Sequence, residues 1–240
     1  MINESRKNEL NKYREKFSDF PIIRPKTQEL LEKIVDARKP ALILELGTGK
    51  GYSGSVMLST YDGANLLTIE KDAENYKEAM KTFVELEFFD RILPVNADAE
   101  EVVHKLSESV ERTGQKFDLI FLDCSKSAYL RMADDLINLL SDGGVFVADN
   151  CLYFGKVLGE PEIPAKKHRT IVVNLRKFID KIKNDERLTN TVIYDIEDGV
   201  LVTNLKSGAE LKEIEKDLKE SEVKNITTND NKNDDTKKSE

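Results

Sequence analysis

Apolar residues along this chain follow two periods that alternate. Short, nearly continuous apolar runs predict buried strands, and they span residues 41–46, 65–69, 92–95, 117–122 and 145–148. The stretches between them predict helices, mostly because apolar residues return every three or four positions; they span residues 54–61, 72–88, 100–113 and 129–140. Strands that alternate with helices in this way predict a parallel sheet with right-handed crossovers.

Further elements precede and follow this alternation. Two helices come before it, and a loop, a long helix and a hairpin of two strands come after it; they span residues 4–17, 27–37, 151–163, 165–184, 192–196 and 200–204. The whole pattern predicts an α/β fold of the Rossmann type with helices on both faces. Its sheet would have seven strands, mostly parallel, and would end in an antiparallel hairpin.

The chain divides into four predicted segments. Residues 1–40 carry the first two helices, which we expect to act as a lid or a packing element. Residues 41–208 form the main domain. Residues 209–223 have the pattern of an amphipathic helix, and residues 224–240 are so polar that we expect disorder.

Composition and charge narrow the class of protein. The chain has 240 residues and a mass of 27.3 kDa, which suits one α/β domain with terminal additions. A net charge of -8 does not indicate a general nucleic-acid binder, although a local basic patch is compatible with it. Two cysteines provide no disulfide framework, the N-terminus is polar, and no apolar run approaches the ~20 residues of a membrane span. We therefore expect a cytoplasmic protein without a membrane segment.

A glycine-rich turn directly follows the first predicted strand. Gly47, Gly49 and Gly51 let the backbone turn sharply and let a ligand approach the main chain without meeting a side chain. Glu70 ends the next strand, about 20 residues further on, where an acid can accept hydrogen bonds from ribose hydroxyls. The pair predicts a cofactor that contains a nucleoside, and the alternative is a purely structural turn.

The details of this turn favour one kind of nucleoside. A dinucleotide-binding turn has the pattern G-x-G-x-x-G, but Tyr52 stands where the third glycine belongs, which disfavours a dehydrogenase. Glu45, just before the first glycine, would repel phosphates and suits the ammonium of an amino-acid moiety. The stretch resembles motif I of class I methyltransferases, which bind S-adenosylmethionine (SAM).

Acidic residues gather at one edge of the predicted sheet. Like Glu70, the residues Asp98, Asp123 and Asp149 follow the ends of predicted strands, where parallel sheets bind their ligands. Asp123, Asp149 and Asn150 together offer three hard oxygen ligands, which suit Mg²⁺ or Ca²⁺ rather than a structural zinc ion. The alternative is that these acids only cap loops and helices.

Residues 123–129, with the sequence DCSKSAY, resemble the D-x-x-K-x-x-Y signature of the cation-dependent O-methyltransferases. That family includes catechol and caffeoyl-CoA O-methyltransferases and bacterial relatives that methylate 5-hydroxyuridine in tRNA. Further segments match the same family in order, namely residues 44–53, 70, 98–99, 149–150 and 198–199. The resemblance covers about residues 20–206, and its departures, Ala97 and Cys124, remove no ligand.

The resemblance implies a class I methyltransferase fold and an enzyme that uses SAM and Mg²⁺ or another divalent cation. It implies that the cofactor is bound by Ile23, Glu45, Gly47, Thr48, Gly49, Ser53, Glu70, Asp98, Ala99 and Asp123, and the metal by Asp123, Asp149 and Asn150. The metal would chelate two neighbouring substrate oxygens. Lys126, the catalytic residue together with Asp123, would accept or stabilise the proton that leaves one of them. Tyr129 is expected to pack or to orient the substrate.

The substrate is predicted less sharply than the cofactor. A basic cluster follows the predicted metal ligands by one loop, and it consists of Lys166, Lys167, His168 and Arg169. The bacterial tRNA-modifying relatives have a basic run at this place, so the favoured substrate is 5-hydroxyuridine in the anticodon region of tRNA, which would become 5-methoxyuridine. One alternative is a small catechol or hydroxycinnamoyl compound, for which only Tyr153 and Phe154 supply an aromatic lining. The other is a non-catalytic SAM-binding protein. Because many relatives are dimers, we expect a homodimer.

Overall fold

The structure is a computed structural model that describes residue 2, residues 4–159 and residues 166–207, apart from the side chains of residues 166 and 167. Its elements follow the predicted order: α1 (Glu4–Lys16), α2 (Pro25–Arg38), β1 (Leu42–Leu46), α3 (Tyr52–Thr60), β2 (Asn65–Glu70), α4 (Ala73–Glu85), β3 (Ile92–Asn96), α5 (Ala99–Thr113), β4 (Phe117–Leu122), α6 (Tyr129–Leu139), β5 (Leu140–Ala148), α7 (Lys166–Asn184), β6 (Leu188–Tyr194) and β7 (Val200–Leu205). A second unit of the chain begins at Lys206, and the segments predicted at 209–223 and 224–240 lie outside the described residues. None of the helices in the described part combines the length and the apolar character that a membrane span requires.

The strands form one seven-stranded sheet in the order β3-β2-β1-β4-β5-β7-β6. The first five strands are parallel, whereas β7 runs antiparallel to both of its neighbours, β5 and β6. This confirms the predicted mostly parallel sheet with an antiparallel hairpin at its end. The order of the parallel strands reverses between β1 and β4, and in open α/β sheets ligands bind in the crevice at such a point.

The core lies on both faces of this sheet, because successive residues of a strand point to opposite sides. In β4, Ile120 and Leu122 join the core that includes α5, α6 and α7, whereas Leu119 and Phe121 join the core that includes α1 to α4. Strands covered on both faces read as continuous apolar runs rather than as alternating patterns. That is why the central strands were readable from the sequence.

Two strands begin four or more residues before their predicted starts. The start predicted at residue 145 is wrong, because β5 begins at Leu140 and runs through Gly143 and Gly144. The pairing with β4 shifts its register between Phe117 and Leu119, so the glycines mark an irregular stretch inside the strand. Similarly, β6 begins at Leu188 rather than at 192, since the consecutive polar residues 189–191 also belong to this edge strand.

Candidate functional site

One cavity of about 620 Å³ lies at the carboxyl ends of the parallel strands. Nearly all of the residues predicted to act on cofactor, metal or proton line it, namely Ile23, Gly47, Thr48, Gly49, Ser53, Glu70, Asp98, Ala99, Asp123, Lys126, Asp149 and Asn150. They are far apart in sequence, and the topology brings them together because β1 to β5 all end at this edge. The predicted gathering of acids at one edge of the sheet is therefore confirmed.

The glycine-rich turn forms one wall, and its glycines are required by close contacts. Gly47 has φ +100°, and a Cβ there would lie 2.2 Å from the carbonyl oxygen of Asp123. Only glycine lets the end of β1 pass so close to the end of β4. Glu70 holds the turn from β2, since its Oε2 accepts a hydrogen bond of 2.8 Å from the backbone N–H of Gly49.

Glu45 lies behind this wall and does not line the cavity. It is fully buried, and its two carboxylate oxygens accept hydrogen bonds of 2.6 Å from Ser53 Oγ and 2.6 Å from Thr68 Oγ1. Thr68 Oγ1 lies in turn 2.5 Å from Thr48 Oγ1, and both Thr48 and Ser53 are on the wall. Burial raises the pKa of Glu45 to about 7. Because the structure places Glu45 one layer behind the wall, its direct contact with a cofactor stays a prediction.

Asp98 and Ala99 bring the start of α5 to the cavity. Asp98 caps this helix, since its Oδ1 accepts a hydrogen bond of 2.9 Å from the backbone N–H of Glu100. Its Oδ2 lies 2.6 Å from Lys71 Nζ, and this contact holds the pKa of Asp98 below its usual value. The carboxylate is thus ionised and fixed at the edge of the cavity.

The segment before α2 contributes Ile23 to the cavity, and two contacts that the sequence did not reveal hold it there. Arg14 Nη2 donates a hydrogen bond of 3.1 Å to the carbonyl oxygen of Ile23. Glu197, in the turn between β6 and β7, accepts hydrogen bonds of 3.0 and 3.1 Å from the backbone N–H groups of Lys26 and Thr27. A carboxylate at a helix N-terminus is favourable, so Glu197 anchors α2 from the far end of the chain.

Two carboxylates, Asp123 and Asp149, meet at the ends of β4 and β5. Asp149 is only 3% exposed, and burial together with the charge of Asp123 raises its pKa to about 7. The Asp149 Oδ1 atom accepts a hydrogen bond of 2.7 Å from the backbone N–H of Asn150, and Asp123 Oδ1 accepts one of 2.9 Å from Lys126 Nζ. Two acids in one buried place repel each other, and a bound cation would relieve that repulsion.

The chemistry of these donors fits a hard divalent cation. Asp123, Asp149 and Asn150 all line the cavity and offer two carboxylates and one amide oxygen, the ligand type that Mg²⁺ prefers. In the described residues no group of three or more His, Cys, Asp or Glu side chains is arranged for a metal, so nothing there points to zinc. The predicted metal set contains only two such side chains and stays a prediction.

Lys126 connects Asp123 to a buried tyrosine. Its Nζ donates hydrogen bonds to Asp123 Oδ1 and, over 2.7 Å, to Tyr129 Oη. Burial lowers the pKa of Lys126 but Asp123 raises it, and the result lies above the usual value. The ammonium is therefore protonated in this arrangement, and a nearby metal ion would oppose that by its positive charge.

The loop after β5 brings aromatic and basic groups to the mouth of the cavity. Tyr153 and Phe154 line it, and Phe154 is 71% exposed. Tyr153 Oη lies 2.9 Å from His168 Nδ1, which joins this loop to the start of α7. Arg169 is exposed next to it, whereas the side chains of Lys166 and Lys167 lie outside the described part of the chain.

Comparison with known proteins gives a family match over most of the chain. Residues 3–206 match the family model described as O-methyltransferase. The caffeoyl-CoA O-methyltransferase 1 of Eucalyptus globulus is 29% identical over 155 residues, which cover 62% of this chain and 61% of that protein. The caffeoyl-CoA O-methyltransferase of Pinus taeda is likewise 29% identical over 155 residues, 58% of its length. The match thus spans about three fifths of these curated relatives.

Solved structures share the fold. An O-methyltransferase from Bacillus cereus, in complex with SAH, superposes with a TM-score of 0.70 at 20% identity over 86% of this chain and 93% of that one. An O-methyltransferase of tomaymycin synthesis from Streptomyces achromogenes, in complex with SAM, gives a TM-score of 0.70 at 20% identity over 86% and 92%. At such low identity these likenesses show the fold alone.

Proposed function

Because the chain belongs to the O-methyltransferase family, we propose that it moves a methyl group from SAM to a substrate hydroxyl in a reaction that depends on a divalent cation. One observation carries this proposal. The cavity at the carboxyl edge brings the glycine-rich turn and Glu70 together with Asp123, Lys126 and Asp149. Cofactor-type and acid–base groups thus face a single space.

The half of the cavity formed by β1 and β2 would hold SAM, which supplies an electrophilic methyl group on its sulfonium. The backbone between Gly47 and Ser53 has the glycines that a close ligand needs, and Glu70 lies where ribose hydroxyls can donate to it. Ile23 would pack on the cofactor from the N-terminal segment. Two reactants held side by side can lose roughly 7–11 kcal/mol of their barrier through proximity alone.

The half formed by β4 and β5 would prepare the substrate hydroxyl. A divalent cation held by Asp123, Asp149 and Asn150 would supply the Lewis acidity that lowers the pKa of that hydroxyl. Lys126 Nζ lies 2.9 Å from Asp123 Oδ1, so the lysine is held beside the predicted ligands. With the cation bound, the positive charge would lower the pKa of Lys126, and the neutral amine would then accept the departing proton; as an ammonium, the same group would stabilise the oxyanion.

For the substrate we propose 5-hydroxyuridine in tRNA, and the hydrogen bond between Tyr153 and His168 is the observation that supports it. This contact brings the basic start of α7 to the cavity, where exposed Arg169 can meet a phosphate. Exposed Arg24 lines the cavity from the N-terminal segment. Bases splayed out of single-stranded loops stack on aromatic side chains, and Phe154 offers such a surface.

A small phenol with neighbouring oxygens is the second candidate. Tyr153 and Phe154 suit a flat ring of either kind, because 5-hydroxyuridine presents O4 and O5 side by side as a catechol presents its two oxygens. The curated relatives are named for caffeoyl-CoA. Arg176 is a further basic residue of α7 that could contact a polyanion. It donates hydrogen bonds to the carbonyl oxygens of Val157 and Gly159, however, and this structural role makes it less available for a phosphate.

Methyl transfer from labelled SAM separates the two candidates. The wild-type protein would be assayed with Mg²⁺ on tRNA from cells that lack this modification and, in parallel, on catechol and caffeoyl-CoA. We expect label in tRNA at a single uridine-derived nucleoside. Label in the phenols alone would move the function to small molecules, and label in none of them would leave the chain as a SAM-binding protein without this activity.

A further inference from the structure

Tyr129 is a fully buried tyrosine whose hydroxyl lies between the two halves of the predicted metal site. It is the first residue of α6, and its ring packs against Phe178 of α7 with the ring centroids 5.4 Å apart. This packing explains why a large aromatic ring occupies position 129. It does not explain why a hydroxyl is placed in the interior, where an unsatisfied polar group destabilises the fold.

The hydroxyl is satisfied from three directions. Its oxygen accepts a hydrogen bond of 2.7 Å from Lys126 Nζ. Its proton faces two backbone carbonyl oxygens, that of Leu122 at 2.9 Å and that of Asp149 at 3.1 Å. Leu122 immediately precedes Asp123 at the end of β4, and Asp149 follows the end of β5. One hydroxyl therefore contacts Lys126 and the backbone next to each of the two acids.

The direction of these hydrogen bonds matters. A hydroxyl that accepts from an ammonium becomes a stronger donor, so its bonds to the two carbonyl oxygens and its bond to Lys126 reinforce one another. The backbone of β4 and β5 is also joined directly at this point, because Leu122 O accepts a hydrogen bond of 3.0 Å from the N–H of Asp149. Through its hydroxyl, Tyr129 links Lys126 to this contact between the two strands.

We propose that Tyr129 is a positioning residue: its hydroxyl holds Lys126 Nζ beside Asp123 and ties the lysine to the ends of β4 and β5. It touches neither substrate nor cofactor. This inference rests on the proposed function, since it concerns the group that handles the substrate proton. Among the hydrogen bonds of Lys126 in the described residues, loss of the hydroxyl would leave the one to Asp123, and the ring at position 129, whose centroid lies 4.9 Å from Nζ, would not fix the direction of the ammonium.

The test compares Tyr129→Phe with wild type in two measurements. In the first, exchange of the Lys126 ammonium protons is followed by NMR on protein with ¹⁵N-labelled lysine, assigned with Lys126→Arg and recorded without metal or substrate. We expect at least tenfold faster exchange. In the second, kcat for methyl transfer should fall about 10–100-fold, the usual cost of losing a supporting contact of a metal site, while KM for SAM stays within twofold. Tyr13→Phe is the matched control, because that hydroxyl bonds to Glu85 outside the cavity.

Where the wild type transfers a methyl group, both changes are required. If either the exchange rate or kcat of Tyr129→Phe stays within about twofold of wild type, the inference is overturned. If the wild type transfers no methyl group, the proposed function fails, but the exchange measurement still decides the role of Tyr129. Should Tyr129→Phe not fold, 3-fluorotyrosine at position 129 keeps the hydroxyl and makes its oxygen a poorer acceptor. Faster exchange and a lower kcat would then support the inference, and wild-type values would overturn it.

Discussion

Two carboxylates lie buried near the cavity, and the protein holds them in different ways. Glu45, under the glycine-rich turn, accepts hydrogen bonds from the neutral hydroxyls of Ser53 and Thr68. Asp149, at the end of β5, lies near a second carboxylate, Asp123, and the ammonium of Lys126. Burial is the largest cause that raises the pKa of each acid to about 7. For Asp149 the charge of Asp123 is the second cause, whereas for Glu45 the hydrogen bonds from Ser53 and Thr68 oppose the rise and outrank the charges of Asp123 and Glu70.

This difference separates support from chemistry. Neutral hydroxyls satisfy Glu45 whether it is protonated or ionised, so the acid can stay in place as part of the wall that holds Ser53 and Thr48. Asp149 has a neighbour of its own sign, and a pair of this kind is relieved by a proton or by a cation. On the cofactor side of the cavity, the buried carboxylate of Glu45 is therefore satisfied by hydrogen bonds. On the metal side, the carboxylates of Asp123 and Asp149 repel each other.

The largest effect is expected from a substitution of Asp149 on the metal side. Asp149→Asn should lower methyl transfer about 10⁴-fold, because a neutral amide in place of a charged carboxylate holds the cation more weakly and several kcal/mol of Lewis-acid stabilisation are lost with it. Initial rates with Mg²⁺ measure this, with Asp134→Asn on the outside of α6 as the control. The same substitution should raise the metal-free free energy of unfolding, since it removes a like charge. A rate within tenfold of wild type would contradict the assignment.

The next effect comes from the lysine. Lys126→Met should lower kcat about 10³-fold, in the range expected for a general acid–base residue, and should leave the Kd for SAM nearly unchanged because the cofactor half is untouched. Steady-state kinetics and calorimetric titration with SAM measure the two quantities. Equal losses in kcat and in SAM affinity would show instead that Lys126 supports the whole cavity.

A third prediction concerns Glu45, on the cofactor side, and the pH dependence of the free energy of unfolding. The pKa of Glu45 rises from 4.5 to about 7 on folding, so the native state binds its proton more tightly than the unfolded state. The contribution of Glu45 to the free energy of unfolding should therefore be highest below pH 4.5 and should fall as the pH rises to 7, by up to about 3 kcal/mol. Denaturation of wild type and Glu45→Gln, both in EDTA, isolates the contribution as the difference between their pH profiles. Parallel profiles would mean that Glu45 does not titrate there.

The smallest effect is expected at the mouth. Arg169→Ala should raise KM for tRNA by roughly threefold to tenfold through loss of one phosphate contact, and the loss should shrink at high salt. KM for catechol should not change. Lys183→Ala, at the other end of α7, serves as the control. Equal effects of the two substitutions on tRNA would place the polyanion along the whole helix rather than at its start.

The sequence predicted the order of elements and the gathering of acids because both depend on local patterns. Apolar runs locate the strand ends, and the parallel topology then brings Asp98, Asp123 and Asp149 to one edge. The layer occupied by Glu45 was missed, yet alternation along β1 contains the signal: Glu45 shares its face with Ile43, which packs in the core beneath α3. The hydroxyls that hydrogen-bond to Glu45 on that face belong to β2 and α3, so the sequence of β1 alone does not predict them.

Other features had no local signal. Glu197 caps α2 through contacts that are 170 and 171 residues distant in sequence, so nothing near either partner announces the pairing. Likewise, the link between Tyr153 and His168 depends on how the loop after β5 returns to α7. The early start of β5 is a third such feature: Gly143 and Gly144 interrupt the apolar pattern, and they let the strand continue past a register shift in its pairing with β4.

If the cavity joins a SAM site to a metal-dependent acid–base site, methyl transfer needs both the cation and the carboxylate of Asp149. The deciding measurement is transfer of the labelled methyl group, to whichever substrate accepts it, by wild type and Asp149→Asn, each with Mg²⁺ or with EDTA. We predict transfer only by wild type with Mg²⁺, and recovery of the EDTA-treated enzyme when Mg²⁺ is restored. Transfer that survives both EDTA and Asp149→Asn would contradict the claim.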